Sequence, residues 1–420
     1  MDVFLAGGIF LVAYALIASE RVDRTLVALL GGLLVVALGV IDQAEAFAAI
    51  DFNVIFLLVG MMVLAGGLRQ TGFFEFVAGH AIRLSRGEPF RLLVMLTLVT
   101  AGVSALLDNV TTVVLLTPVT LSIARKIRVS PVPYLLSQIL ASNIGGTATL
   151  IGDPPNILIG SATGLDFGDF LANLAPVVLL IVVALLVIMR LAFGRSMDDD
   201  ADRLDALAEL DPGAAIKDRR LMLRALVVLG LTIAGFLAHS ALGLEAATVA
   251  LLGATVLMIV GPLDPHEALR NIEWPTLFFF VGLFMLVEAV VKVGIVGGVA
   301  DALADATGGR LDVATIGVLW FSGLASAVVD NIPYTATAIP IVERLIENGL
   351  RAEPLWWSLA LGACLGGNAT IIGASANVVV ANLAARDGHP ITFIQFFRYG
   401  SVVVLVSLVI STAYLWLRYL

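Results

Sequence analysis

The chain has 420 residues, 60% hydrophobic and 14% charged, with a mean hydropathy of +1.02. Soluble domains carry about 25% charged residues, so this composition excludes a soluble enzyme or binding domain and points to a chain that crosses a bilayer many times. The net charge of −9 resides mostly in loops, and no basic patch interleaved with aromatics exists for nucleic acid.

A crossing helix needs about 20 apolar residues. The first candidate, 3–19, begins MDVFLAGG with Asp2 in place of a basic n-region, so it reads as a retained span and not a cleaved signal. Spans 25–41 and 53–69 follow. The apolar stretch 91–127 carries Asp108-Asn109 at its centre and reads as a re-entrant hairpin with that pair at its tip. An interrupted span, 133–163, precedes 169–191 and a hydrophilic segment, 195–220. Beyond it come 221–238, 245–262, 275–292, a second hairpin over 311–346 with Asp330-Asn331 at its tip, an interrupted span 354–385, and 394–417. Cys364, the one cysteine, excludes an internal disulfide and reads as small-residue helix packing. His80, His239, His266 and His389 show no metal spacing, and Glu288 and Lys292, four apart, read as an ion pair.

The two parts are a duplication. Leu29-Leu30-Gly31 matches Leu251-Leu252-Gly253, and Asp42, Glu45, Gly60, Gly72, Asp108 and Pro118 match Asp264, Glu267, Gly282, Gly294, Asp330 and Pro340, all at an offset of 222. IGGTATLIGDPPN (144–156) aligns with LGGNATIIGASAN (365–377) at an offset of 221. Each half holds five crossings and one hairpin, and an odd number inverts the second half against the first, a secondary-transporter design. The expected fold class is therefore an all-α membrane protein built as an inverted repeat. The first repeat is 1–194 (scaffold 1–72, transport 90–165), the cytoplasmic linker is 195–220, and the second repeat is 221–420 (scaffold 221–294, transport 309–386). With the N-terminus outside, nineteen of the 24 Lys and Arg residues fall on one side and five on the other. The positive-inside rule then places both termini outside the cytoplasm of a multi-pass cell membrane protein.

A carboxylate at membrane depth costs ~2.5–3.5 kcal/mol on the most lenient scale, so two in matched register mark a site. Non-helical backbone at that depth must line protein or a water-filled cavity. Pro154-Pro155 cannot continue a helix, and such breaks expose carbonyls and helix N-termini that bind ions. In half one, Asp108, Asn109, Thr111 and Thr112 are expected to face Ser142, Asn143, Gly152, Asp153 and Asn156. In half two, Asp330, Asn331 and Thr335 are expected to face Asn368, Thr370, Gly373, Ser375 and Asn377. These hard oxygen donors suit Na⁺ or a small hydroxylated solute. Burial favours the proton-carrying form of a carboxylate, so Asp108, Asp330 and Asp153 are the candidates for proton coupling. Structural roles compete: interhelical hydrogen bonds for Thr111, Thr112 and Thr370, a helix cap for Asp153, and a buried neutral acid at Asp108 and Asp330. Asp153 faces Ala374 in the alignment, so the two sites are chemically unequal.

At LDNVTTVVLLTPV (107–119) and SNIGGTATLIGDPPN (142–156) the chain resembles the arsenite/sodium–proton antiporter permeases of the ion transporter superfamily, and within them the P protein and silicon-efflux branch. More distantly it is similar to the divalent anion/sodium symporters, whose tips carry Ser-Asn-Thr where this chain has Asp-Asn. The resemblance implies Na⁺ near Asn109/Gly152 and Asn331/Gly373, an elevator mechanism and a homodimer. The leading expectation is a secondary transporter, H⁺- or Na⁺-coupled and without a cofactor, that moves a small anion, oxyanion or hydroxide (arsenite-, silicic acid- or carboxylate-like). The alternatives are a Na⁺/H⁺ antiporter and an anion channel; a membrane enzyme has no nucleophile–base–metal constellation to support it.

Overall fold

The computed structural model describes residues 2–19, 21–86, 88–127, 129–198 and 212–420. Among them the chain is helical throughout. Half one contains α1 (Asp2–Ser19), α2 (Arg24–Ala37), α3 (Gln43–Ala48), α4 (Phe52–Gln70), α5 (Phe73–Ser85), α6 (Pro89–Leu106), α7 (Asn109–Ile127), α8 (Val132–Gly146), α9 (Pro154–Thr163) and α10 (Phe167–Asp198). Half two contains α11 (Arg219–Ala238), α12 (Ala246–Val260), α13 (Pro265–Arg270), α14 (Trp274–Lys292), α15 (Ile295–Thr307), α16 (Leu311–Ser326), α17 (Asn331–Glu347), α18 (Ala352–Gly366), α19 (Ser375–Arg386) and α20 (Phe393–Tyr419). Seven of these, α1, α4, α6, α10, α11, α14 and α20, are long and apolar enough to cross a membrane.

The element order repeats. α4 with α14, and α5 with α15, begin and end at positions 222 apart. Acidic residues start several helices by accepting free backbone N–H groups: Asp23 for α2, Asp51 for α4 and Asp218 for α11. Gly72 (φ +80°) and Gly294 (φ +81°) take the left-handed conformation that turns the chain into α5 and α15. These two amphipathic helices, with the short α3 and α13, are additions to the expected spans. Their mixed composition gives no 20-residue apolar window, so the length criterion passes over them.

Packing follows the same exchange of halves. α2 lies on α14 as α12 lies on α4, and α6 lies on α8 as α16 lies on α18. α7 packs on α19 as α17 packs on α9. Small residues permit the closest crossings: a Cβ on Gly60 would stand 2.6 Å from the Ala250 carbonyl carbon. Two helix groups result. The first is α1, α2, α4, α11, α12 and α14. The second holds the hairpins and broken helices, with α10 packed on α6 and α8 and α20 on α16 and α18.

Two expectations change at the rim. Lys292 does not pair with Glu288; its Nζ lies 2.5 Å from Oε2 of Glu45, across the halves. Of the hydrophilic segment, 199–211 lies outside the described residues, as do Arg128 and Arg203. Its end is docked: the Lys217 N–H donates to the Thr71 carbonyl at 2.9 Å, beside α5.

Candidate functional site

Both Asp-Asn pairs sit at hairpin tips, at the starts of α7 and α17, and both are buried. Asp108 Oδ1 accepts from the Thr111 N–H at 2.7 Å, and Asp330 Oδ1 from the Ile332 N–H at 3.0 Å, so one oxygen of each carboxylate caps its helix. The breaks lie opposite. In half one, α8 ends at Gly146 and α9 starts at Pro154; in half two, α18 ends at Gly366 and α19 starts at Ser375.

A set of side chains fastens each tip to its break in the same way in both halves. Ser104 Oγ donates to the Ser142 carbonyl and Ser326 Oγ to the Ala363 carbonyl, each at 2.6 Å. Thr149 Oγ1 donates to the Ala105 carbonyl at 2.5 Å and Thr370 Oγ1 to the Ala327 carbonyl at 2.6 Å. Asn156 Nδ2 reaches the carbonyls of Thr147 and Thr149 at 3.1 and 2.8 Å, and Asn377 Nδ2 those of Gly367 and Thr370 at 2.7 and 2.8 Å. These bonds satisfy buried carbonyls that the broken helices leave free. Gly152 and Gly373 sit against the backbone of Gly146 and Gly367, where a side chain has no room.

The centre has no such symmetry. Asp153 is fully buried and stands at the N-cap position of α9, yet its side chain makes no cap hydrogen bond. Its Oδ1 instead accepts from Asn109 Nδ2 at 3.2 Å and from Asn331 Nδ2 at 3.1 Å. One carboxylate thus joins both hairpin tips. Asn109 also donates to Asn143 Oδ1 at 3.0 Å, and Asn143 donates to Asn368 Oδ1 and Asn377 Oδ1, each at 2.9 Å. The two separate sites expected from the sequence are therefore one amide–carboxylate network that crosses between halves. The crossing has a packing cause, since α7 rests on α19 and α17 on α9.

Of the expected residues, Asp108, Asn109, Asn143, Asp153, Asp330, Asn331, Asn368, Ser375 and Asn377 lie in or beside this network. Ser142 and Thr335 lie in the walls but spend their hydroxyls on their own helices, on the Ile139 and Asn331 carbonyls. Thr111 contributes its N–H to Asp108. Thr112 Oγ1 and Asn109 Oδ1 are buried acceptors with no hydrogen-bond partner among the described residues.

The sequence reading did not single out Arg24 and Tyr14. Arg24 Nη1 lies 3.1 Å from Asp330 Oδ2 and also bonds Ser375 Oγ, which itself donates to Asp330 Oδ2 at 2.6 Å. Tyr14 Oη donates to the Pro333 carbonyl at 2.8 Å and lies 2.5 Å from Thr337 Oγ1. The signal for Arg24 was a basic residue at the very start of an apolar span, which topology counting treats as a loop charge.

A family model described as a citrate transporter, CitMHS, matches residues 14–362. An uncharacterized transporter of Mycobacterium tuberculosis is 47% identical over 98% of this chain and 97% of its own length. The human P protein is 36% identical over 99% of this chain, which spans 60% of that protein. The crystal structure of the YdaH transporter of Alcanivorax borkumensis, described as having an unusual topology, superposes with a TM-score of 0.61 at 14% identity, covering 99% of this chain and 97% of that one. P protein is among the relatives, as the motifs led one to expect, and the family description names citrate, a carboxylate, which is one of the three solute types expected, while neither comparison singles out an arsenite permease.

Proposed function

The chain belongs to the citrate transporter family and is a multi-pass membrane transporter, not an enzyme, and on that premise we propose a secondary active carrier that moves a small carboxylate-type anion coupled to H⁺ or Na⁺. The observation that carries this reading is the central network, where three buried aspartates, Asp108, Asp153 and Asp330, lie with amide donors and only Asp330 pairs with a cation, Arg24. An anion entering beside three carboxylates meets repulsion unless positive charge enters with it, which favours co-transport. The unpartnered acceptors Asn109 Oδ1 and Thr112 Oγ1 are hard donors suited to such a cation.

The mechanism we infer is alternating access of the elevator kind. Five crossings and a hairpin per half invert the halves. The group α1, α2, α4, α11, α12 and α14 serves as scaffold and dimer contact, and the hairpins, broken helices, α10 and α20 as the moving body. The positive-inside distribution then puts both termini outside the cytoplasm.

Purified protein in proteoliposomes tests this with citrate, other carboxylates, arsenite and silicic acid under imposed Na⁺ or pH gradients. Uphill accumulation of a carboxylate under one gradient is the expected result; flux that only runs downhill would overturn the coupled-carrier reading. Asp108→Asn is expected to abolish proton-driven accumulation and leave counterflow. If full accumulation persists, Asp108 carries no coupling proton.

A further inference from the structure

Two crevices separate the helix groups, and the repeat maps one onto the other. The first, about 290 Å³, lies between the α11–α12 connection, with His239 and Glu245, and α9 at Ile157, Gly160 and Ser161. The second, about 340 Å³, lies between the α1–α2 connection, with Asp23 and Arg24, and α19 at Ser375, Val379 and Asn382, with Asp330 in its wall. They differ in register. The second reaches the first residue of its half-helix and the hairpin tip. The first reaches neither Pro154 nor Asp108 and extends past the end of α9 to Gly164 and Leu165. The lined stretches are offset by three to four residues, or about 5 Å of helix.

Polar side chains bridge the two groups at only one of these crevices. Arg24 is anchored on its own side: Asp23 caps α2, Thr25 Oγ1 donates to the Pro275 carbonyl at 3.0 Å, and the guanidinium lies 5.2 Å from the Phe279 ring centroid. From there it crosses to Asp330 and Ser375, with its side chain 30% exposed and that of Asp330 11%. The repeat places Ala246 at the position of Arg24 and Phe236 at that of Tyr14. Among the described residues no hydrogen bond joins α11 or α12 to α7 or α9. Acidic groups gather around Arg24: Asp23 in the crevice, Glu273 ahead of α14, which interacts with both Arg24 and Asp108, and Asp153, which interacts with Asp330; Arg21 is a further cation in the α1–α2 connection.

We propose that Arg24 is a tethered counter-cation, occupying on Asp330 and Ser375 the place that a monovalent coupling cation takes when the hairpin body moves away from α2. The proposal rests on the carrier reading above. A carboxylate at membrane depth needs a partner. A guanidinium fixed to α2 and α14 cannot follow the hairpin through a displacement of about 5 Å, the register difference between the crevices. Asp330 therefore leaves Arg24 only when another cation replaces it, and on return Arg24 expels that cation into the crevice. Arg24 is thus a positioning residue that makes cation loading obligatory at the far end of travel and drives release at this one.

The test uses the full chain in proteoliposomes with citrate on both sides. Na⁺ varied against choline at constant pH reads a sodium-coupled carrier, and a pH gradient in Na⁺-free buffer reads a proton-coupled one. Arg24→Ala is expected to raise the apparent affinity for the coupling cation on the crevice side about tenfold, inside the usual range of site-to-site coupling. It is also expected to slow net flux while exchange continues, and Arg24→Lys is expected to restore net flux in part. In an Asp330→Asn background, adding Arg24→Ala is expected to change nothing further, a non-additivity that places the effect of Arg24 on Asp330, while the shift in cation affinity and in the exchange-to-net ratio separates it from a structural ion pair. Elution as a single peak in size-exclusion chromatography separates misfolding from function. A coupled wild type whose cation affinity and exchange-to-net ratio are unchanged by Arg24→Ala overturns the proposal alone. A wild type with no cation-driven flux overturns the carrier reading and this inference with it.

Discussion

The two halves share a frame and differ at their centres. In both, a serine and a threonine fasten the hairpin to the break, an asparagine ties down two carbonyls, and a glycine allows two backbones to meet. Where half one has Asn143, Asp153 and Pro154, half two has Cys364, Ala374 and Ser375. Where half one has Arg24, half two has Ala246. Residues that satisfy backbone are constrained by geometry, which the duplication preserves. Of the residues that differ, Asn143 and Asp153 belong to the central network, which crosses between the halves and therefore takes a single arrangement. A twofold frame around a single asymmetric site follows, with one carboxylate, Asp153, serving both tips.

Erasing that difference is the most damaging change we expect. Asp153→Ala gives half one the residue of half two and removes the acceptor of Asn109 and Asn331 together. Two hydrogen bonds to a carboxylate amount to about 3 kcal/mol, or roughly a hundredfold in coupled flux. Because the Asp153 side chain caps no helix, the thermal unfolding midpoint in detergent should move far less than the flux. A midpoint that collapses along with transport would make Asp153 a structural acid.

The glycines at the breaks come next. A Cβ on Gly152 would stand 2.5 Å from the Gly146 oxygen and 2.7 Å from the Ser104 oxygen; on Gly373 the nearest distances are 2.7 Å to the Gly367 oxygen and 3.0 Å to the Ser326 oxygen. Overpacking of this kind costs about 1–3 kcal/mol, and both alanine variants should unfold earlier, Gly152→Ala more than Gly373→Ala. The reverse order would mean that the half-one break is the more compliant.

The frame was legible in the sequence because its determinants are local and repeated. Asp108-Asn109, the paired glycines and the proline-rich turn fixed hairpins and breaks, and α4, α14 and both tips fell within a residue or two of expectation. The centre was only half legible. Spacing marked Asn143 and Asp153 as candidates, and both lie in the central network, but it could not show that Asp153 faces Asn331, 178 positions away, because that contact depends on α17 packing across onto α9. Arg24 was hidden for a related reason: its partners Asp330 and Ser375 lie 306 and 351 positions along the chain.

Asn156 and Asn377 test the shared frame itself. Each amide holds two carbonyls of its break, so Asn156→Ala and Asn377→Ala leave buried acceptors unpaired, at about 1–3 kcal/mol apiece. The two midpoints should fall by similar amounts, in contrast to the unequal effects of the central residues. A large disparity would show that the breaks are not equivalent in construction.

The smallest effect lies at the rim, where Glu45 and Lys292 join the halves and the repeat offers Glu267 and Gln70 in their place. The Lys292 hydrogen bond, helped by the Asp42 N–H, holds the Glu45 carboxyl below its ordinary value of 4.5. A depressed carboxylate contributes stability above its unfolded value and loses it as pH falls through the folded one. Lys292→Gln copies the other half's rim and should lower the unfolding midpoint slightly at pH 7, since exposed pairs contribute little. The gap between wild type and variant should begin to close as the pH drops below about 4.5 and vanish once it has fallen through the lowered value of the paired Glu45. A gap that persists into acid would mean that Lys292 acts through packing of its aliphatic stem, and that the rim is asymmetric in shape and not in charge.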